Sequence, residues 1–90
     1  MKREIYVETP SVSDALHLMV ALPGLPTKLL DRGGRKEVEI RPLPDRDQTR
    51  LVLDAAARWL GDRKLASTRV RFGGNSYRLL PDGSELPLAR

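Results

Sequence analysis

The chain has 90 residues, a length that closes one small hydrophobic core and leaves no room for a second domain. Apolar residues make up 40% and charged residues 31% of the chain, proportions typical of a folded protein rather than of a disordered one. The absence of cysteine excludes disulfides and thiolate sites, and the single histidine, His17, excludes any site that needs two.

The excess positive charge falls in the second half of the chain. Residues 1–45 carry seven Lys or Arg and seven Asp or Glu, whereas residues 46–90 carry nine cations against five anions, which accounts for the whole net charge of +4. Twelve of the sixteen cations are arginine. Such a field can steer acidic partners, nucleic acid included, but a solvated surface carries the same charge.

Nothing in the sequence predicts export or membrane insertion. No apolar run approaches the roughly 18 residues of a membrane span. The start, MKREIYVETP, lacks the apolar core of a secretory signal. We therefore expect a cytoplasmic protein without membrane contact.

The first elements are a strand and a helix. Residues 2–8 alternate apolar and polar side chains, which predicts a half-buried strand that ends at Pro10. A helix then begins with Ser11 as its cap, and Pro23 with Gly24 stops it. Its predicted buried face consists of the following residues at helical spacing: Val12, Leu16, Met19 and Val20.

Residues 23–35 form the longest predicted connection, with one helical turn over 27–31 that Gly33 and Gly34 release. Connections of this length are either functional or mobile. The leucines of this loop either pack under the sheet or present a docking surface, for which Leu25 is the candidate.

A second strand is predicted near 36–41, and a second helix runs from its cap at Asp45 to about Leu60. Gly61 has the position of a helix C-cap. Trp59 closes the wide apolar stripe of this helix, so we expect it to be a central core residue rather than a ligand-stacking one.

The last third predicts three strands, over 68–72, 76–80 and 85–88, joined by two hairpin turns. Two-residue turns at Gly74-Asn75 and Asp82-Gly83 would set the register. Phe72 and Tyr77 then face the core, and Arg71 lies opposite Arg78 on the other face, with Arg69 two residues away. Pro87 makes the last strand an edge.

The predicted order is therefore β-α-β-α-β-β-β. Alternating strands leave one sheet face in water, and two helices cover the other, so the fold class is an α/β (α+β) two-layer sandwich in one domain, 1–90. Helical crossovers between the first three strands would make these strands parallel neighbours or near-neighbours, and the sheet mixed.

The sequence contains no set of residues that supports catalysis. Ser13, Asp14 and His17 share a helix, but nothing supplies an oxyanion hole or orients the imidazole as a triad requires. Neither strand-to-helix turn contains the glycines that a phosphate site needs, and no cluster has metal-ligand spacing. We expect a protein that is not an enzyme and uses no cofactor or metal.

Two functions remain open. The first is a protein-interaction or regulatory module that binds a partner protein, with an acidic partner as one option, through the open sheet face or the 23–35 loop. The second is RNA binding through the arginines of that face, which usually requires exposed aromatics as well. The candidate contact residues are Arg69, Arg71, Arg78, Tyr6 and Leu25. The sequence leaves open whether the protein is a monomer or a homodimer.

The stretch LDAAARWLGDRKLASTRVRFGGNSYRLLPDG combines a helix ending in Trp-Leu, an Arg-bearing exit and a glycine-containing hairpin. It resembles the C-terminal half of the effector-associated constant component family of actinobacterial conflict systems. The matching residues are Trp59, Leu60, Arg63, Val70 and Gly83. The resemblance covers about a third of the chain, implies an accessory or adaptor role beside effector modules, and supplies no site residues.

Overall fold

The fold is a single sheet with both helices packed on one face. The computed structural model describes residues 4–22, 24–42 and 48–88. The described elements in chain order are β1 (Ile5–Thr9), α1 (Val12–Val20), β2 (Thr27–Arg32), β3 (Arg35–Ile40), α2 (Thr49–Asp62), β4 (Thr68–Phe72), β5 (Asn75–Leu79) and β6 (Glu85–Pro87). The predicted two-layer α+β class is confirmed.

The sheet is antiparallel throughout, with the strand order β2-β3-β1-β4-β5-β6. The prediction of a mixed sheet is wrong, since the three strands that it made parallel, now β1, β3 and β4, include the antiparallel neighbours β1–β3 and β1–β4. The helical crossover from β1 leads to β2, which is parallel to β1 but separated from it by β3. The crossover from β3 likewise passes over β1 to reach β4, so every adjacent pair is antiparallel.

Residues 27–32 form a strand, not the predicted helical turn. β2 pairs with β3 through a tight turn at Gly33 and Gly34, whose φ angles are 61° and 88°. Positive φ at both central residues is the requirement of a type I′ hairpin turn, and glycine meets it without steric cost. The predicted element order therefore lacked one strand.

The core lies between the sheet and the two helices. The fully or almost fully buried apolar side chains include Ile5, Val7, Ala15, Leu18, Leu22, Leu25, Val38, Ile40, Val52, Leu53, Ala56, Ala57, Trp59, Leu60, Val70 and Leu79. Trp59 is 3% exposed, which confirms its predicted place in the core. Phe72 and Tyr77 also lie on the helix side, where their rings stack with centroids 4.7 Å apart.

Helix α1 buries a different face from the predicted one. Ser11 caps the helix as expected, since its hydroxyl accepts a hydrogen bond from the Asp14 amide at 3.1 Å. The side chains that enter the core are Ala15, Leu18 and Leu22. The predicted face is mostly outside: Val12, Leu16 and Val20 are exposed, and Met19 is only partly buried.

Helix α2 ends later than predicted. Gly61 lies within the helix, and Lys64 instead adopts the left-handed conformation, with φ 57°. The Leu65 amide donates to the Leu60 carbonyl at 2.8 Å and the Lys64 amide to the Gly61 carbonyl at 3.2 Å, the bonding pattern of a Schellman motif. The predicted cap at Asp45 lies outside the described residues.

Candidate arginine site on the open sheet face

The sheet face without helices carries most of the charged strand residues. Because antiparallel partners share a side of the sheet, the pairing assigns this face residue by residue. We call it the open face, and its members are Tyr6, Glu8, Lys28, Leu30, Arg32, Arg35, Glu37, Glu39, Arg69, Arg71, Ser76, Arg78 and Leu86.

Glu37 is the electrostatic centre of the open face. It is only 7% exposed, and its Oε1 lies 3.3 Å from Nε of Arg32 and 3.1 Å from Nη2 of Arg71. The same Arg71 nitrogen reaches Oε2 at 3.2 Å. A buried carboxylate requires such partners, because an unpaired buried charge is costly. Both arginines are therefore engaged in holding this glutamate.

Tyr6 lies in the same cluster and is covered by cations. The guanidinium carbon of Arg71 is 4.7 Å from the ring centroid, and that of Arg32 is 5.5 Å away, both within cation–π range. Burial, followed by a hydrogen bond to Glu39, raises the pKa of Tyr6 above its ordinary value. Two guanidinium groups of the same cluster therefore cover its ring.

The β4–β5 register differs from the predicted one by two residues. The turn uses Gly73 and Gly74, with φ angles of 59° and 79°, and the structure pairs Arg69 with Arg78. The prediction that Arg71 lies opposite Arg78 is wrong, since Arg71 faces Ser76. A shift of two residues preserves the faces, so Arg69, Arg71 and Arg78 do share the open face as predicted.

The β5–β6 turn also differs from the prediction. A three-residue loop joins the strands, because the Leu80 amide donates to the Ser84 carbonyl at 3.0 Å. Leu86 consequently pairs with Arg78 on the open face, and Glu85 turns to the helix side. There Glu85 forms an ion pair with Arg50 at 3.0 Å.

Three arginines at one corner of the open face lack a carboxylate partner among the described residues. Arg69 bonds the Ser76 hydroxyl at 3.5 Å, and Arg78 bonds the Ser67 hydroxyl at 2.9 Å. Arg35 joins them from the β3 end of the β2–β3 turn, without an ion pair in the described part of the chain. We call Arg35, Arg69 and Arg78 the arginine corner.

The three residues of the arginine corner line one surface groove of about 410 Å³. The described residues that line it include all three arginines, Ser67 and Thr68, with Glu8 as the one carboxylate among them. No ion pair joins Glu8 to these arginines within the described residues. Three cations against one anion leave the groove positive, and guanidinium groups donate in the planar geometry that carboxylates and phosphates accept.

The remaining predicted contact residues already have partners within the fold. Arg71 and Tyr6 belong to the Glu37 cluster. Leu25 is 9% exposed and belongs to the hydrophobic core, which is the packing alternative that the sequence left open for the leucines of this segment. Sequence reasoning missed Arg35, because the 23–35 segment was interpreted as a loop. Reading Gly33 and Gly34 as a hairpin turn would have placed Arg35 on the open face.

The residues that suggested the family resemblance have structural roles in this chain. The Trp59 indole Nε1 donates to the Asp14 carbonyl at 3.0 Å, and Arg63 Nε donates to Asp14 Oδ1 at 2.7 Å. These contacts join the C-terminal end of α2 to the first turn of α1. The Arg63 guanidinium holds the pKa of Asp14 below its ordinary value.

The described residues carry neither a cluster for a metal site nor a helix for a membrane span. In residues 4–22, 24–42 and 48–88, no group of three or more His, Asp or Glu side chains is placed to hold a metal ion. The same described ranges contain no helix with the length and apolarity to cross a membrane. Comparisons with protein-family models, curated proteins and solved structures found no match to this chain, so the family resemblance stays a prediction.

Proposed function

We propose that this protein is a non-catalytic interaction module that binds an acidic segment of a partner protein at the arginine corner. The observation that carries the proposal is the pairing of Arg69 with Arg78 directly across β4 and β5, where their hydrogen-bond partners among the described residues are serine hydroxyls. Like charges opposite each other destabilise a sheet. An anionic ligand placed between the two guanidinium groups would reverse that penalty.

The contrast with the Glu37 cluster supports this assignment. Arg32 and Arg71 already have a carboxylate, so their charge is compensated within the fold. Arg69 and Arg78 lie on the same face without one, and the groove beside them has room for a carboxylate-bearing side chain. Bidentate contacts between guanidinium and carboxylate groups would give such a complex a defined geometry.

Tyr6 favours an acidic protein over RNA as the partner. RNA-binding sheet platforms stack bases on exposed aromatic rings. On the described open face the aromatic residue is Tyr6, and two guanidinium groups cover its ring. Phe72 and Tyr77 lie on the helix side. An accessory role, which the family resemblance implies, is compatible with capture of a partner protein.

The test compares two variants with equal loss of charge. Arg69→Thr with Arg78→Thr removes the opposed pair and preserves β-propensity, so the free energy of unfolding should hold or rise slightly. Arg58→Gln with Lys64→Gln is the matched control, because both residues are exposed on or just after α2, on the helix side. Binding to a synthetic Glu-rich peptide and to a single-stranded RNA oligomer is measured by titration calorimetry at two salt concentrations.

We expect the variant with Arg69→Thr and Arg78→Thr, the strand variant, to bind the acidic peptide at least about tenfold more weakly than the wild type. Loss of a buried or bidentate charge contact has an effect of this size. The affinity of the control variant should change little. Equal losses in both variants would indicate only a general effect of net charge and would contradict the proposal. Tighter binding of the wild type to RNA than to the peptide, lost in the strand variant, would assign the arginine corner to nucleic acid instead.

A further inference from the structure

The sheet edge formed by β2 lies beside an exposed apolar strip on α1. β2 is the outermost strand on its side, and its six residues contain no proline. The opposite edge, β6, has three residues and ends at Pro87, which lacks an amide hydrogen. Of the two edges, β2 therefore presents the longer row of backbone groups for pairing.

The outward backbone groups of β2 can be assigned from one hydrogen bond. The Arg41 amide donates to the Pro26 carbonyl at 3.0 Å, in the register that continues into β2 and β3. Because backbone direction alternates along a strand, even-numbered β2 residues point to β3 and odd-numbered ones point away. Thr27, Leu29 and Asp31 therefore carry the amides and carbonyls of the free edge.

The apolar strip lies on the side of α1 that faces away from α2. Asp14 marks the side that contacts α2, through Trp59 and Arg63. At about 100° per residue, the opposite side of the helix carries Val12, Leu16 and the partly buried Met19. Val12 is 44% and Leu16 is 51% exposed.

This strip lies next to the free edge because of the sheet order. Helix α1 packs over β3 and β1, so its side away from α2 points toward β2. On that face of the sheet, β2 presents Leu29, which is only partly buried against the core. Leu29 and the α1 strip therefore form an apolar surface on one side of the sheet, next to the free edge.

We propose that a second copy of this chain covers that surface, with β2 pairing antiparallel to β2 of the partner. A twofold axis perpendicular to the sheet would join the two sheets into one of twelve strands, each copy contributing the six described ones. The same axis would bring α1 of each copy alongside the other. Backbone bonds would satisfy the edge, and the α1 strips would bury each other's apolar side chains.

The side chains of β2 favour one register for this pairing. A twofold axis through Leu29 places Leu29 against its own copy on the helix face, Thr27 against Asp31, and Lys28 against Leu30. Shifting the axis by one residue, to Leu30, would oppose Lys28 with Arg32, and like charges directly opposite are destabilising. The register centred on Leu29 contains no opposed like charges and pairs the outward amides with outward carbonyls.

The experiment uses charge insertion with a matched control. Leu16→Glu places a carboxylate in the α1 strip, whereas Leu51→Glu changes an equally exposed leucine on α2, which is 57% exposed. Sedimentation equilibrium from low micromolar to sub-millimolar concentration gives the dimer dissociation constant. We expect a wild-type dimer that Leu16→Glu weakens by about tenfold or more and Leu51→Glu leaves unchanged.

Amide hydrogen exchange tests the strand pairing separately. Amides of Thr27, Leu29 and Asp31 point away from β3, so we expect their protection to rise with protein concentration in the wild type and not in Leu16→Glu. A wild type that stays monomeric over the whole range overturns the proposal. So does a dimer that is insensitive to Leu16→Glu or leaves these amides unprotected. The arginine corner is unchanged in both variants, so these outcomes are independent of peptide binding.

Discussion

The C-terminal end of α2 offers a prediction in which the sequence pattern and the structure give opposite signs. If Gly61 ended the helix in a left-handed conformation, Gly61→Ala would destabilise the protein by about 1 kcal/mol. In the structure Gly61 lies inside the helix, and a methyl group added there would meet no atom within 4 Å beyond its chain neighbours and the backbone of its own helix. Alanine is favoured over glycine in a helix by about 0.8–1.0 kcal/mol. We therefore expect Gly61→Ala to stabilise the protein by about that amount.

The same reasoning gives a second gain at Lys64. Its φ of 57° costs a side-chain-bearing residue about 1–2 kcal/mol relative to glycine. Lys64→Gly should recover roughly 1 kcal/mol of this, after allowance for the greater freedom of glycine in the unfolded chain. Combined, the two changes should add about 2 kcal/mol. For a domain of this size each kcal/mol raises the midpoint of thermal unfolding by about 4–8 °C.

Thermal and urea unfolding followed by circular dichroism measure both effects. Gly83→Ala is the matched control, because Gly83 has a φ of 92° and equally open surroundings. We expect this control to lower the midpoint while Gly61→Ala raises it. A lowered midpoint for Gly61→Ala would show that the helix ends at Gly61, and would refute the Schellman motif centred on Lys64.

Three further predictions concern packing and charge. Trp59→Ala should lower the free energy of unfolding by about 3–5 kcal/mol, because it removes buried apolar surface and leaves a cavity. A shift of the thermal midpoint by only a degree or two would show that the indole is not buried. Asp14→Asn should cost about 1–2 kcal/mol near neutral pH, because it removes the negative charge of the Arg63 ion pair. Since the pKa of Asp14 is lowered on folding, this contribution is present above its unfolded value near 4 and is lost as the pH falls through the folded one. The difference in free energy of unfolding between wild type and Asp14→Asn should therefore shrink in acid, and a constant difference would contradict the ion pair. Glu37→Gln should destabilise the fold by leaving Arg71 without its carboxylate, and chemical shifts of the Tyr6 ring should move with it; unchanged stability would show that Glu37 is not the centre of the cluster.

The sequence predicted the elements whose hydrophobic period was unambiguous. The alternation of β1, β3 and β4 and the stripe of α2 identified their type and their buried faces. Strand β2 was missed because Leu29 and Leu30 are adjacent, so one faces the helices and the other the open face. Both are half-buried, which conceals the period of two.

Helix α1 and the hairpins show a different limit. Helix α1 has two apolar stripes at helical spacing. The one with larger side chains is exposed and the one around Leu18 is buried, and hydrophobicity alone does not show which of them packs against the sheet. Similarly, GGNS supports a turn at Gly73-Gly74 as well as at Gly74-Asn75. The two turns give strand pairings that differ by two residues, which leaves each side chain on the same face. The sequence therefore placed the correct arginines on the open face but predicted Arg71, instead of Arg69, opposite Arg78.

The position of β1 in the centre of the sheet has a consequence for how the chain acquires its structure. Val7 pairs with Val38 on one side and with Val70 on the other, so the middle of the sheet closes only when the chain has reached β4. Until then β1 has an open edge, and the core residues of α2 have only part of the sheet to pack against. Contacts so distant in sequence slow folding and leave few stable partial structures. We therefore expect a polypeptide released before residue 68 to expose apolar surface and to depend on chaperones, whereas the finished chain folds in one cooperative step.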